Sequence, residues 1–438
     1  MKKIFFIAFE FPPLNNGGVF RPMAIVKRLS KSYKIVVFTL HPNSIENFFG
    51  ENNFDTSLEF DLNENIDVIQ ITVKKLAKKS KIKKFFDISD RDTKEWEQKA
   101  KEILINKAKQ EKPDLLLVTA PPFTMASFGR KISKELKIPM VLDLRDAWSL
   151  WNISPYRSWF HYFFTKIEER KCLNHSEIVF VTSEQTKRDL ISLHSNLSLN
   201  KVQVITNGFE SRSSELSQVK NINQKIVIGY VGGFYYSPES RDLMLKKWYL
   251  KRPTRWLNYT PRKEDWLYRT PYFFFRTLQA LFERNEGFKK IIEIQFIGKK
   301  PNWFDKMVSQ FELNDVVFHL GEYSHTNSLK FQQECDVLLI TSSKVIGAKD
   351  YSIAGKTFEY ISMLKPILAF VCAGAQKDIL EQTGLAIICN PDDIFGSVNV
   401  IEEFIYSKNT LEPKFEFIDH LSRNYQIKEM EKFLNSMK

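Results

Sequence analysis

The chain has 438 residues, 43% of them hydrophobic and 26% charged, with a formal net charge of +12. That length exceeds what one hydrophobic core usually holds, so two domains of roughly 200 residues each are expected. The composition is globular, no stretch reaches the ~20 uncharged apolar residues of a membrane span, and the excess of positive charge favours an anionic partner: nucleotide, lipid headgroup or nucleic acid.

The basic start and short apolar run at Met1 to Phe9 end on Glu10 without a small-residue cleavage site, which reads as a first strand rather than a signal peptide. Short apolar runs then alternate with amphipathic helical stretches, the pattern of parallel sheets with crossover helices. Seven strands are expected at 3–9, 35–40, 66–72, 114–120, 140–143, 178–182 and 202–205. A second series is expected at 225–233, 292–298, 316–321, 337–341, 367–371 and 385–389. The polar, serine-rich stretch 210–223 reads as a linker between the series. The four cysteines, Cys172, Cys335, Cys372 and Cys389, form no C-x-x-C pair, so neither a zinc site nor a disulfide framework is expected, and a reduced cytosol suits them.

Two segments break the rhythm. Residues 74–84 hold seven lysines and no acid before Phe85 and Phe86, and residues 246–263 are equally one-signed, with Trp248, Tyr249, Trp256 and Tyr259 among the basic residues. Lysine stems and aromatic rings in this pattern suit an anionic bilayer surface. Solvated loops would read the same way. Nucleic acid is the weakest partner, because the basic segments belong to no recognised module.

Gly17 and Gly18 follow the first strand, where glycine lets a backbone approach a phosphate or sugar; a tight turn is the structural alternative. The spacing is not G-x-G-x-x-G, which argues against a dinucleotide cofactor. Arg145 and Asp146 end the strand at 140–143. The arginine cannot act as a base, but it could bind phosphate, while Asp146 could position or deprotonate a hydroxyl; a buried Arg-Asp pair is the structural alternative. Gly232 and Gly233 repeat the glycine turn after the second series' first strand, with Arg241 the nearest cation downstream. The most informative stretch runs from Gly355 through Lys356 and Glu359 to Lys365-Pro366. It reads as a helix with a basic start and a carboxylate in its first turn, feeding a buried strand. There the helix N–H groups, Lys356 and Lys349 can bind phosphate while Glu359 grips hydroxyls. An ion pair between Lys356 and Glu359 is the structural alternative.

This stretch, with Phe9 to Arg21, Val141 to Trp148 and Ile205 to Gly208, resembles the family 4 glycosyltransferases in motif content and order. The resemblance implies a GT-B fold: an α/β architecture of two doubly wound Rossmann-like domains facing across a cleft. The domains would be 1–209 on the acceptor side and 224–415 on the donor side, the latter carrying a basic aromatic insertion at about 236–268 suited to acceptor specificity. A terminal helix within 416–438 would cross back. The implied activity is retaining transfer of a sugar from a nucleoside diphosphate to a hydroxyl, without metal and with no cofactor beyond the donor. In it Lys356 and Arg241 neutralise the leaving diphosphate, Glu359 holds the ribose, and Glu322 lies on the loop near the base. Tyr351 stands where the family's first glutamate belongs, with Asp350 one position off as a substitute, and Arg145 replaces the histidine of many relatives. The expected setting is cytoplasmic, peripheral to the membrane, with a lipid-linked acceptor in cell-surface polysaccharide or glycolipid assembly. A nucleotide-sugar 2-epimerase and a non-catalytic surface-binding protein are the alternatives.

Overall fold

The computed structural model describes residues 1–50, 63–74, 87–150, 155–213, 225–407 and 411–437. All thirteen expected strands are present, in two parallel sheets. The first has the order β3-β2-β1-β4-β5-β6-β7, formed by Lys3–Ile7 (β1), Lys34–Leu40 (β2), Ile66–Ile71 (β3), Leu115–Ala120 (β4), Met140–Leu144 (β5), Ile178–Val181 (β6) and Val202–Val204 (β7). The second sheet is formed by Ile226–Val231 (β8), Ile292–Ile297 (β10), Val317–His319 (β11), Val337–Thr341 (β12), Ile367–Phe370 (β14) and Ala386–Cys389 (β15). Its order is β11-β10-β8-β12-β14-β15, and the intervening β9 (Glu264–Asp265) and β13 (Lys344–Val345) pair antiparallel as a separate ribbon.

The central strands β1, β4 and β12 are almost wholly apolar because both faces of each sheet are covered there, whereas β3 carries Asp67 and Gln70 and β10 carries Glu293 and Gln295 at less buried positions. Alternate residues of β1 serve different cores: Phe5 and Ile7 pack with Trp96, Leu104 and Leu142, whereas Ile4 and Phe6 pack with Ile25, Val26 and Leu29. In the second sheet Ile228 and Tyr230 face a cluster built around Phe274, Phe275 and Phe296. Leu338, Ile340 and Ile367 face another, with Phe358 and Ile361.

The chain divides into two compact units. One comprises Met1–Asn207, Thr254–Pro261 and Arg423–Lys438; the other comprises Gly208–Pro253 and Arg262–Ser422. The expected boundaries shift accordingly. Helix Phe415–His420 stays with the second unit, where Ile418 is buried beside Leu364 and Leu380, so the return to the first unit begins at Arg423 rather than at 416. Helix Arg423–Ser436 then buries Ile427, Met430 and Leu434 in the core of Ile25 and Val26, and Arg28 fixes it by an ion pair to Glu431 at 3.0 Å. The insertion is divided as well. Tyr259 exchanges backbone hydrogen bonds with Tyr156, at 2.8 and 3.0 Å, placing 254–261 in the first unit, while β9 belongs to the second. The lysine-rich 75–84 and most of the linker lie outside the described residues.

Candidate active site

Open parallel sheets bind ligands outside the carboxyl ends of their strands, where the strand order reverses. In the first unit that point lies between β1 and β4. Arg145 follows β5 beside it, and both terminal nitrogens of its guanidinium are bound to protein. Nη1 donates to the Gly18 carbonyl at 2.5 Å, while Nη2 donates to Glu10 at 3.2 Å and to the Pro121 carbonyl. The expectation that Arg145 binds phosphate is therefore corrected: its charge is matched by Glu10, and it positions the loop after β1. The role expected for Gly18 changes with it. A Cβ at Gly18 would come within 1.8 Å of Glu10 Oε2 and 2.7 Å of Arg145 Nη1, so a side chain there would displace the ion pair from this position. A Cβ at Gly17 would meet no heavy atom within 4 Å, so packing places no demand for glycine there. Asp146 is half-buried, and the carboxylate that pairs with Arg145 is that of Glu10. A buried arginine-aspartate pair does exist in this unit, elsewhere: Arg21 donates to Asp143 at 2.7, 3.0 and 3.1 Å and to the Thr206 carbonyl at 2.9 Å, and Thr119 donates to Asp143 at 2.9 Å.

The second unit's reversal lies between β8 and β12. Gly232 adopts φ +114°, and its N–H donates to the Ile297 carbonyl at 2.9 Å. A Cβ there would stand 3.0 Å from Lys356 Nζ, and one at Gly298 would meet the Gly232 carbonyl oxygen at 2.7 Å, so the backbone and the lysine converge tightly. Gly233 is exposed, with open space beside it. Helix Gly355–Ser362 is tied to this point by the Val231 N–H donating to Tyr360 Oη at 2.8 Å. Gln376 fastens the helix start to β12, accepting from Ala354 N–H at 2.9 Å and donating to the Thr341 carbonyl at 3.0 Å.

Lys356 lies over the Tyr230 ring, 3.8 Å from its centroid, rather than in an ion pair with Glu359. Burial, and then the like charge of Arg269, pull its ammonium down to a pKa of about 7, with Glu359 opposing them. Arg269, which no motif marked, donates to Ser352 at 3.3 Å. Glu359 is the fifth residue of its helix, so it lies in the second turn and not the first. It is half-buried, and Gln332 donates to it at 3.4 Å.

Three expected residues stand apart from this group. Arg241 is gripped by Asp265 of β9 through two hydrogen bonds of 2.7 Å, which matches its charge and removes it as a clamp for diphosphate. Lys349 and Glu322 are exposed on loops. Asp350 accepts from Ser343 at 3.0 Å and from Ser352 at 2.8 and 3.0 Å, so it shapes the loop before the helix instead of replacing the missing glutamate. Sequence reasoning also missed Glu264, 6% exposed, which accepts from Trp266 Nε1 at 2.9 Å. Burial, then the neighbouring Asp350 charge, push its pKa up to about 7. The only available signal was an acid pair, Glu264-Asp265, closing an acid-free segment.

Residues 88–212 match the family model Glycosyltransferase Family 4. No curated protein matches the chain. Its fold is shared with solved structures over the full chain. The lipopolysaccharide outer core galactosyltransferase WaaB is similar at TM-score 0.63 and 13% identity, with 100% of each chain covered. Anabaena Alr3699/HepE in complex with UDP is similar at 0.60 and 13%, again with 100% of each chain covered. The sucrose-phosphate synthase of Thermosynechococcus elongatus is similar at 0.60 and 12%, covering 100% of this chain and 99% of that one. These likenesses establish the GT-B fold.

Proposed function

Proceeding from a chain of GT-B fold similar to the family 4 glycosyltransferases, we propose that it transfers a sugar from a nucleoside diphosphate donor to a hydroxyl acceptor. The observation that carries this reading is Lys356, held over the Tyr230 ring against the Gly232 turn at a helix N-terminus, with the like charge of Arg269 acting on it. Like charges so placed destabilise each other until an anion joins them, and a diphosphate is the anion whose size and charge suit a glycine turn backed by helix N–H groups. HepE is crystallised with UDP and with UDP-glucose, which supports a nucleotide sugar as donor and makes uridine nucleotides the first to try.

In the proposed reaction the bond from the anomeric carbon to the β-phosphate oxygen breaks as the acceptor oxygen bonds to that carbon, with retention. Lys356 and Arg269 neutralise the charge that grows on the leaving diphosphate and so perform a metal ion's usual task. Glu359 accepts from ribose hydroxyls, and Asp146 positions or deprotonates the acceptor hydroxyl. Lys356→Ala should lower turnover by about 10² to 10³, as loss of one preorganised electrostatic group does. UDP titrated calorimetrically into wild type should bind without added metal, and turnover should survive EDTA. Equal UDP affinity in wild type and Lys356→Ala would remove the proposed donor site.

The finer setting rests on the surface. Trp248, Tyr249 and Leu250 are exposed beside the exposed Lys246, Lys247 and Arg252, a combination suited to an anionic bilayer. Among the described residues no helix is long and apolar enough to cross a membrane. Peripheral binding, with acceptors of cell-surface polysaccharide or glycolipid assembly, is the reading proposed. Co-sedimentation should rise with the anionic lipid fraction and fall with salt; equal recovery with neutral and anionic vesicles would overturn it.

A further inference from the structure

Helix Trp159–His175 of the first unit is inside out. Its buried positions are His161, Thr165, Glu169, Cys172 and Leu173, while Trp159, Phe160, Phe163 and Phe164 are 47%, 64%, 40% and 53% exposed. The polar residues that face inward are satisfied there: Glu169 accepts from the Ser149 N–H at 3.2 Å and shares a 2.9 Å contact with His194, and His161 Nδ1 is 2.7 Å from Ser158 Oγ. The outward aromatics are ordered against each other, Trp159 stacking on Phe163 at 5.1 Å and 19°. Four large rings on one exposed helix face form the kind of patch that monomeric proteins rarely leave without a ligand.

That face is one wall of an apolar groove of about 680 Å³, lined by Trp159, Phe160, Phe164, Ile167, Ile88 and Leu257. Leu257 comes from the inserted 254–261 segment, held in place by the Tyr156 and Tyr259 backbone pair and by Tyr162 against Tyr259 at 5.0 Å. Ile88 and His161 also line a second, smaller cavity of about 280 Å³ whose remaining wall is polar and aromatic: Asp87, Asp90, Arg157 and the Phe123–Trp148 pair, stacked at 5.4 Å and 4°. Asp90 there accepts from the Phe123 and Thr124 N–H groups, at 2.8 and 3.2 Å. The two cavities thus adjoin at Ile88 and His161, the smaller lined by carboxylates, Arg157 and a flat aromatic face, the larger mainly by hydrocarbon. Exposed Lys171 lines the groove beside Glu168, whose charge is already matched by Arg130 at 2.7 Å.

We propose that these adjoining cavities bind one amphiphile: a hydrocarbon chain in the groove of Trp159, Phe160, Phe164 and Leu257, a phosphate at Arg157, and a hydroxylated head against Asp87, Asp90 and Trp148. This deepens the acceptor side of the proposed transferase and rests on that reading for its purpose, though not for the binding itself. An apolar slot of several hundred cubic ångströms is of the size that encloses ligands, and Arg157 of the smaller cavity, with Lys171 on the groove wall, supplies charge complementarity to a lipid phosphate.

The test uses the full chain and alkyl phosphates below their micelle-forming concentrations, read by calorimetry and by quenching of tryptophan fluorescence with a brominated chain. Dodecyl phosphate should bind saturably and at least about tenfold more tightly than octyl phosphate, since each methylene buried adds severalfold in affinity. Dodecyltrimethylammonium should bind more weakly than dodecyl phosphate. Phe164→Asp, at an exposed position, should abolish the chain-length dependence, and Arg157→Gln should abolish the preference for phosphate while keeping that dependence. No saturable binding of dodecyl phosphate, or affinity indifferent to chain length, would overturn the proposal. So would binding confined to anionic vesicles, which would make the face a bilayer contact instead. UDP titrated into the same samples reports separately on the donor site, so that failure of the transferase reading and failure of the amphiphile site are told apart.

Discussion

The two switch points of this molecule are built from similar residues and differ in how their charges are balanced. In the first unit, Arg145 faces Glu10 in a partly buried pair and Arg21 faces Asp143 in a buried one, with backbone carbonyls taking further donors. In the second, Lys356 lies over an aromatic ring in the field of Arg269, and Glu264 lies in the field of Asp350. Matched buried charges hold a fold together, whereas like charges held in proximity store interaction energy that a ligand can release. A titrating cation at a sheet's carboxyl edge is therefore stronger grounds for function than an arginine in a family motif.

The largest expected effect tests the matched side. Asp143→Ala leaves the Arg21 guanidinium buried with only the Thr206 carbonyl as partner, and breaking a buried pair on one side typically costs about 3 to 5 kcal/mol. Lys356→Met removes a desolvated cation that has no ion-pair partner among the described residues. It should leave the protein at least as stable as wild type while abolishing UDP binding. Denaturant unfolding of both variants decides it. If Lys356→Met destabilises as much as Asp143→Ala, the contrast between the two switch points is wrong.

A smaller effect sharpens the unmatched side. Glu359 accepts one long hydrogen bond from Gln332, and its other acceptor positions suit ribose hydroxyls. Glu359→Ala should weaken nucleotide binding by about 1.5 to 3 kcal/mol, the cost of leaving a polar partner unpaired, with unfolding unchanged within error. Unaltered UDP affinity by calorimetry in the folded variant would take Glu359 out of the site.

The fold was legible because strands of a parallel sheet covered on both faces are continuous apolar runs, broken by glycine, proline or charge. Of the candidate site, the sequence offered the parts that one segment carries, the Gly232 turn and the helix start at Lys356, and the structure brings these two together. Pairing between distant residues was not legible: Arg145 finds Glu10 across 135 positions and Arg21 finds Asp143 across 122. Nothing in the neighbourhood of Arg145 distinguishes a phosphate ligand from a structural clamp. Arg241 misled for the same reason, since its partner Asp265 lies beyond the acid-free stretch 246–263. Helix Trp159–His175 reversed the usual rule, because its aromatic residues occupy the outer face while buried hydrogen bonds satisfy His161 and Glu169.

The last expected effect is a pH dependence that the unmatched charges produce. Glu264, near Asp350, Arg269 and Arg262, titrates at about 7 in the fold against an ordinary 4.5, so the fold binds its proton more tightly than the unfolded chain does. Its contribution to stability is fully present below pH 4.5 and is lost as pH rises through 7. Lys356, near Arg269 and Glu359, is shifted the opposite way, from 10.5 to about 7. Its contribution is fully present above pH 10.5 and is lost as pH falls through 7. Stability of the unliganded protein should therefore pass through a trough near neutrality. Glu264→Gln should flatten the acid limb and Lys356→Met the alkaline limb, while Glu10 and Asp143 variants keep both. A diphosphate favours the charged lysine, so UDP at about 100 times its Kd should add roughly 2.7 kcal/mol near pH 7 and fill the trough. Thermal melts from about pH 5 to 10 with and without UDP measure this, and a single broad maximum centred on neutrality in the unliganded protein would mean that the like charges are screened rather than poised for a ligand.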